Sequence, residues 1–496
     1  MSRSRLALVL VLLAAVVAMV VFVDGREGVG RAEVLRSPVA ASVGDGSASW
    51  YCAARDVGAA GVRHDVLISA VGSEETTVRL DGFGEDGSSG TAEVTVAPST
   101  TETVDVGEVL GAAGLSVMLE ASDPVVVEHR FRGEAGADQT TCSTFSSNTW
   151  YFPVAVTTSD ATSRLSLFNP FPGDATVDIE VAFETGVRVP AELAGIVVPA
   201  GTTRVVELGE AGAVRREQFA FTVKARTGAL VAELGQSFDG SYDVVVEGIR
   251  LVPGAREGSS AWSFAGGFAD ASASERVVVL NPTEDPVDVL VQVIPYGGLE
   301  TLPEPFELTI PPLRYGFLDI DQESRVPPLG YHAITVESVD GSPVVAARSV
   351  NVSAAVDDGD ATPVRPLATG GTTASPGSTA AARRWWSTGL RRDDDGNAVM
   401  LLHNPGGRSA SAEVVAVDKG TGESAEPVPV EVPPGDSVTV TARQLAPGAA
   451  TFSAMVSSDV PLVVERFSVF ESVPDLSLGA SVPVVEAVAG LERLGG

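Results

Sequence analysis

Four histidines and two cysteines are the side chains in this 496-residue sequence best suited to catalysis or metal binding. His64, His129, His332 and His403 fall in different segments, and none pairs with another as His-x-His or His-x-x-x-His. His129 follows Glu128 in an extended run, where neighbouring side chains point to opposite faces. The two therefore cannot act together on one group. His403 directly precedes Asn404 where an apolar run ends. Gly-x-Ser-x-Gly and Walker-type glycine patterns are absent, and no catalytic or cofactor-binding residue is assigned and no cofactor is expected. A glycosidase-type carboxylate pair would be invisible among 65 acids, which keeps a hydrolase as a second alternative.

Four groups remain. Asp393-Asp394-Asp395-Gly396-Asn397 clusters hard oxygens around a turn, which suits calcium, but lacks the twelve-residue loop with its terminal Glu. Cys52 and Cys142 have no ligand-spaced partner, so outside the cytosol they are expected to form a structural disulfide rather than a zinc site. Trp385-Trp386 places one indole in a core and leaves Trp386 pointing outward, as the candidate ligand contact. Glu128, Glu233 and Glu465 recur at one landmark, which predicts support for a turn or pairing with an Arg such as Arg130 or Arg466, since one active site needs no three copies.

The elements that carry these residues come from an internal repeat. Counting 19 residues from Trp150, Trp262 and Trp385 reaches Asn169-Pro170, Asn281-Pro282 and Asn404-Pro405, each after an apolar run. Trp50 opens the first copy, which carries Ser69-Ala70 instead of Asn-Pro. A Pro-containing turn follows in each copy, then a run such as Ala229-Leu-Val-Ala-Glu233. Short period-two runs separated by Gly, Pro, Asp and Ser predict an all-β chain: four tandem immunoglobulin-like β-sandwich domains. Proline ends the ladder and Asn caps the turn. The domains are expected at 48–147, 148–258, 259–353 and 383–490, with 354–382 as a flexible linker that lets the fourth move most freely. Four domains in line make a rod.

Leu6–Val23 is an uncharged apolar stretch after Arg3 and Arg5, long enough for one transmembrane helix. The bulky Val20–Val23 end suits a signal peptidase poorly, so residues 6–23 are read as an uncleaved anchor, 1–5 as cytoplasmic and 24–47 as a stalk. The bulk of the chain is then extracytoplasmic at the cell membrane. The formal charge of −32 repels phosphate backbones and excludes nucleic acid as a partner.

Trp50-Tyr51-Cys52, the Asn-Pro strands and the amino-terminal anchor resemble an uncharacterised actinobacterial family of large membrane-anchored or secreted extracytoplasmic proteins with repeated bacterial Ig-like domains. The resemblance covers roughly residues 48–490 and implies compartment and architecture, with no activity or site residue. The sequence thus predicts a non-enzymatic scaffold or binding protein of the cell envelope, with an envelope protein or polysaccharide as partner. The first alternative is a carbohydrate-binding protein that assists envelope polysaccharide assembly.

Overall fold

The computed structural model describes residues 43, 49–87, 90–183, 185–242, 246–269, 273–297, 302–326, 330–353, 370–392, 396–448, 450–470 and 476–484. The expected anchor at 6–23, all of the stalk but Val43, and Asp393–Asp395 lie outside these. Among the described residues no helix is long and apolar enough to cross a membrane. Residues 36–496 form one compact unit, and it is nearly all β.

Each repeat folds as eight strands in two antiparallel sheets. In repeat one the first sheet runs Ser49–Cys52, Ser116–Ala121, Thr76–Phe83, Thr91–Val96, which is first, sixth, third and fourth in chain order. The second sheet runs Thr101–Asp105, Arg63–Ala70, Val125–Gly133, Gly136–Thr141, the fifth, second, seventh and eighth strands. The other three repeats keep this order. Repeat two splits its fourth strand into Gly186–Arg188 and Ile196–Val198, and repeat four fuses its sixth and seventh into Ala450–Phe470 and adds Val482–Pro483 beside its first. The second–fifth and third–sixth pairs match the B–E and C–F pairs of an immunoglobulin domain. The edges differ: the first strand lies beside the sixth, where that fold places its last strand.

Burial follows the period-two pattern. Ala175–Phe183 alternates buried and half-buried positions along most of its length, so one face packs inward. Trp50, Trp150, Trp262 and Trp385 are all at most 2% exposed. Three of these indoles donate Nε1–H to a carbonyl at the start of the seventh strand: Leu230 at 2.9 Å, Val344 at 2.8 Å and Leu462 at 3.0 Å. The tryptophan therefore ties the first strand of one sheet to the seventh of the other.

The asparagines do more than cap. Asn169 Oδ1 accepts from Phe171 N at 3.2 Å, while its Nδ2 donates to Gly173 O and to Val198 O at 3.0 Å. Asn281 and Asn404 repeat the pattern, reaching Ile310 O and Val432 O. One amide thus closes its own turn and pins the proline turn about 30 residues on, satisfying buried backbone groups that proline cannot.

The repeats contact one another in a closed cycle rather than in a row. Their eighth strands, Gly136–Thr141, Gly248–Pro253, Gly371–Pro376 and Leu476–Ala480, meet side by side. Leu251 N donates to Asp138 Oδ2 at 2.8 Å, and Arg250 Nε to Thr372 Oγ1 at 2.6 Å. Leu478 N reaches Thr373 Oγ1 at 3.4 Å, and Ser477 Oγ reaches Gln139 O at 2.9 Å, returning to repeat one. At the same junction Val43 N donates to Pro483 O at 2.9 Å.

Three sequence expectations are thereby corrected. The rod does not form, because repeats one and four touch. Within the expected linker, Gly371–Pro376 is the eighth strand of repeat three, so that domain does not stop at 353. Repeat four packs against both neighbours and is not the free domain.

The disulfide joins Cys52 to Cys142 across a separation of 90 residues, linking the end of the first strand to the segment just past the eighth. In the chain-entropy account a loop of that size contributes about 4 to 5 kcal/mol. Cys52→Ser with Cys142→Ser should lower the unfolding free energy by that order in urea titrations, and reductant should destabilise the parent chain but leave the double variant unchanged.

Candidate functional site

The recurring glutamates occupy one register. Glu128, Glu233 and Glu465 lie on the seventh strands opposite Leu67, Ser166 and Leu401 of the second strands, and Ala347 takes the place opposite Val278 in repeat three. The residue after each is His129, Leu234, Arg466 and Arg348 respectively. Because adjacent strand residues point to opposite faces, the acid reaches back to the preceding repeat and the base forward to the following one.

Glu465 of repeat four accepts from Gly266 N at 2.8 Å and from Arg348 Nη2 at 2.7 Å, both of repeat three. Glu233 of repeat two accepts from Ala53 N at 3.1 Å and Ala54 N at 2.8 Å, and its Oε1 lies 2.7 Å from His129 Nε2, all of repeat one. Glu128 of repeat one reaches across the closure to repeat four, accepting from Thr388 N at 3.3 Å and Arg466 Nη2 at 2.6 Å. All three carboxylates are at most 4% exposed, and desolvation raises the pKa of Glu465. The donating amides lie just past the first strand in repeat one and within it in repeats three and four. In repeats three and four the ladder shifts register there, freeing an N–H from its sheet. Glu128 does pair with Arg466, in another repeat, whereas Arg130 instead holds Asp65 at 3.0 Å.

The seam of repeats two and three lacks this clamp, and all its parts are missing together. Ala347 replaces the acid, Leu234 the base, and Pro153, three residues after Trp150, has no N–H to offer. A single hydrophobic cluster runs through both repeats instead, including Leu234 and Ala347.

Other titratable groups gather at the seams. His64 Nε2 lies 3.1 Å from His129 Nδ1, and burial drives the His64 pKa well down. The two histidines, expected to stand apart, thus form a chain to Glu233. Cys52, Cys142 and His129 place ligand atoms within 4.8 Å of one another, but both sulfurs are spent in the disulfide and offer no thiolate. His332 Nε2 lies 2.7 Å from Glu275 Oε2, which also accepts from Phe268 N. His403 Nδ1 lies 2.9 Å from Ser437 Oγ, and burial lowers its pKa to about 4.

Trp386 corrects an expectation: it is 5% exposed and belongs to the core cluster of repeat one. As neighbours on one strand the two indoles point to opposite faces, Trp385 into its own repeat, where Nε1 donates to Leu462 O, and Trp386 into its neighbour's core. Of the calcium candidate only Asn397 is described, and its Oδ1 accepts from Ala398 N.

Nothing in the sequence singles out Arg250, Arg348, Glu275 or Asp138. Asp138 is buried on the eighth strand, and desolvation raises its pKa to about 7 against two backbone N–H donors. Arg250 is 1% exposed, and desolvation lowers its pKa to about 9. Beside it a polar cleft of about 280 Å³ opens between repeats two and three, lined among others by Glu217, Arg276, Asp319 and Asp321.

Residues 126–322 match a sequence family described as "Family of unknown function (DUF5719)". That stretch runs from the seventh strand of repeat one through most of repeat three. No curated protein matches the chain. Among solved structures, one titled "Crystal Structure of Thermotoga maritima 1070" aligns at 17% identity and TM-score 0.19, over 24% of this chain and 93% of that one. Another, titled "Crystal structure of tetra-tandem repeat in extending region of large adhesion protein", aligns at 13% identity and TM-score 0.09, over 83% and 92%. Likeness at those scores assigns neither fold nor function.

Breaking a buried ion pair on one side leaves an uncompensated charge and costs about 3 to 5 kcal/mol. Glu128→Ala should therefore destabilise the chain by that order in chemical unfolding. Glu128→Ala with Arg466→Leu, which copies the native seam of repeats two and three, should recover much of the loss. A double variant no more stable than the single would show the two side chains uncoupled. For pH, the folded Asp138 titrates near 7 against an ordinary 3.8, so the folded chain holds the extra proton between those values and stability from this group grows as pH falls. His403 titrates near 4 against 6.5, so its contribution is lost over that descent. Asp138→Asn removes the first effect only, and thermal unfolding from pH 7 to 4 should show a steeper loss than in the parent.

Proposed function

We propose that the chain is a non-enzymatic scaffold or binding protein of the cell envelope, held at the membrane through residues 6–23 with its bulk extracytoplasmic. Each repeat is read as an immunoglobulin-like sandwich with exchanged edge strands. The observation that carries the proposal is the closure of four repeats by buried acid–base clamps, the last joining Glu128 to Arg466 and Thr388. Groups that an enzyme would expose to substrate are here used to fix repeats against one another, which favours a rigid platform over a catalyst. The disulfide supports an oxidising compartment, as does the resemblance to extracytoplasmic actinobacterial proteins. The carbohydrate reading loses its contact residue, because Trp386 is enclosed.

In intact cells, alkylation under denaturing conditions without reductant should find Cys52 and Cys142 blocked, and retention in the membrane fraction should require residues 6–23. Photo-crosslinkers at the exposed Val197 and Val339 should give a discrete product of higher mass. Reactive thiols or a soluble full-length chain would overturn the location. Products of the chain's own mass only, from both positions, would overturn the partner-binding role.

A further inference from the structure

We infer that the cleft between repeats two and three binds a small zwitterion of the amino-acid type, its carboxylate held by Arg250 and its ammonium by the rim acids Glu217 and Asp321. The inference is independent of the compartment and of the scaffold role.

Three arginines, Arg250, Arg348 and Arg466, are among the largest fully buried side chains. Arg348 and Arg466 each hold a glutamate, at 2.7 and 2.6 Å. Arg250 makes no ion pair among the described residues: its Nε donates to Thr372 Oγ1 at 2.6 Å and its Nη2 to Asn351 Oδ1 at 2.8 Å, both neutral. Its Nη1 donates to no described residue. The ring of Phe238 lies 4.9 Å from its Cζ, which favours the cation without neutralising it. Asp138, the carboxyl that influences it electrostatically, forms no ion pair with it: its oxygens accept from Gln139 N and Leu251 N. A buried cation is expected to have an anionic partner, and Arg250 lines a cleft of about 280 Å³ that can admit one.

The other charges of the cleft choose the ligand. Arg276 is occupied by a two-pronged pair with Asp319, at 2.5 and 2.8 Å. Glu275 turns its carboxylate away to Phe268 N and His332. The exposed Glu217 and Asp321 stay without a cation among the described residues. One positive group at the floor and two negative groups at the rim oppose a phosphate or dicarboxylate and complement a carboxylate that also carries ammonium, best with a second cationic group. This seam alone lacks the acid–base clamp, and the cleft with its unpaired arginine lies there.

Isothermal titration of the full chain with L-lysine, glycine, acetate and inorganic phosphate tests this. L-Lysine should bind saturably at one site, more tightly than glycine, and at least about tenfold more tightly than acetate or phosphate. Arg250→Gln should abolish binding. Because that variant removes a buried group, Glu217→Gln with Asp321→Asn on the exposed rim serves as the second probe: it should weaken L-lysine about tenfold and leave acetate unweakened. No saturable heat with L-lysine or glycine at millimolar concentration, tighter binding of phosphate than of L-lysine, or L-lysine affinity unmoved by the rim variant would each overturn the inference.

Discussion

A carboxylate withdrawn from water must be met by donors or by a cation, and this chain meets three of them across the seams between repeats, Glu128 only by closing on itself. Glu128, Glu233 and Glu465 each take at least one backbone amide and a base from the repeat before it, and Glu128 also accepts from Gln139 of its own repeat. The contact is heterologous, one surface always meeting a different one, and such contacts form rings when the rotation closes. Here the four copies are covalently joined, so closure is a property of one chain. The alternation of side chains along the seventh strand is the geometric device: neighbouring residues serve opposite seams.

The chain also carries its own control. At the seam of repeats two and three the acid, the base and the donating amide are replaced by Ala347, Leu234 and Pro153, and the hydrophobic core becomes continuous. Removing every member of a buried polar set costs little, whereas removing one costs much. Such joint replacement in a single sequence is what that asymmetry demands.

The all-β class and the recurring landmarks were readable because tryptophan, Asn-Pro and alternating valines are local signals. The role of Asn169 was half readable: its turn is local, but its bond to Val198 O depends on a distant turn. Recurrence of Glu128, Glu233 and Glu465 suggested pairing with an Arg, and Glu128 does meet Arg466. Their partners were hidden, because Arg466 lies 338 residues from Glu128 and sequence spacing has no reach over that distance. Trp386 misled for the same reason. A strand position that faces out of one sandwich was taken to face water, when it faces the core of repeat one. The Gly- and Ser-rich run around Gly371–Pro376 looked like a linker because small residues suit both loose chain and crowded strands.

The closing contact has a further effect, on how the chain is made. Repeat one leaves the ribosome long before Thr388 and Arg466 exist, and domains generally fold as they emerge. Until synthesis ends, Glu128 keeps its water, and the slot for Trp386 stands open at one end of the nascent array. The finished fourth repeat of another copy carries the matching surface. Crowded chains in that interval can exchange fourth repeats or link head to tail into open polymers, so the seam that completes the molecule is also the place where its assembly can go astray.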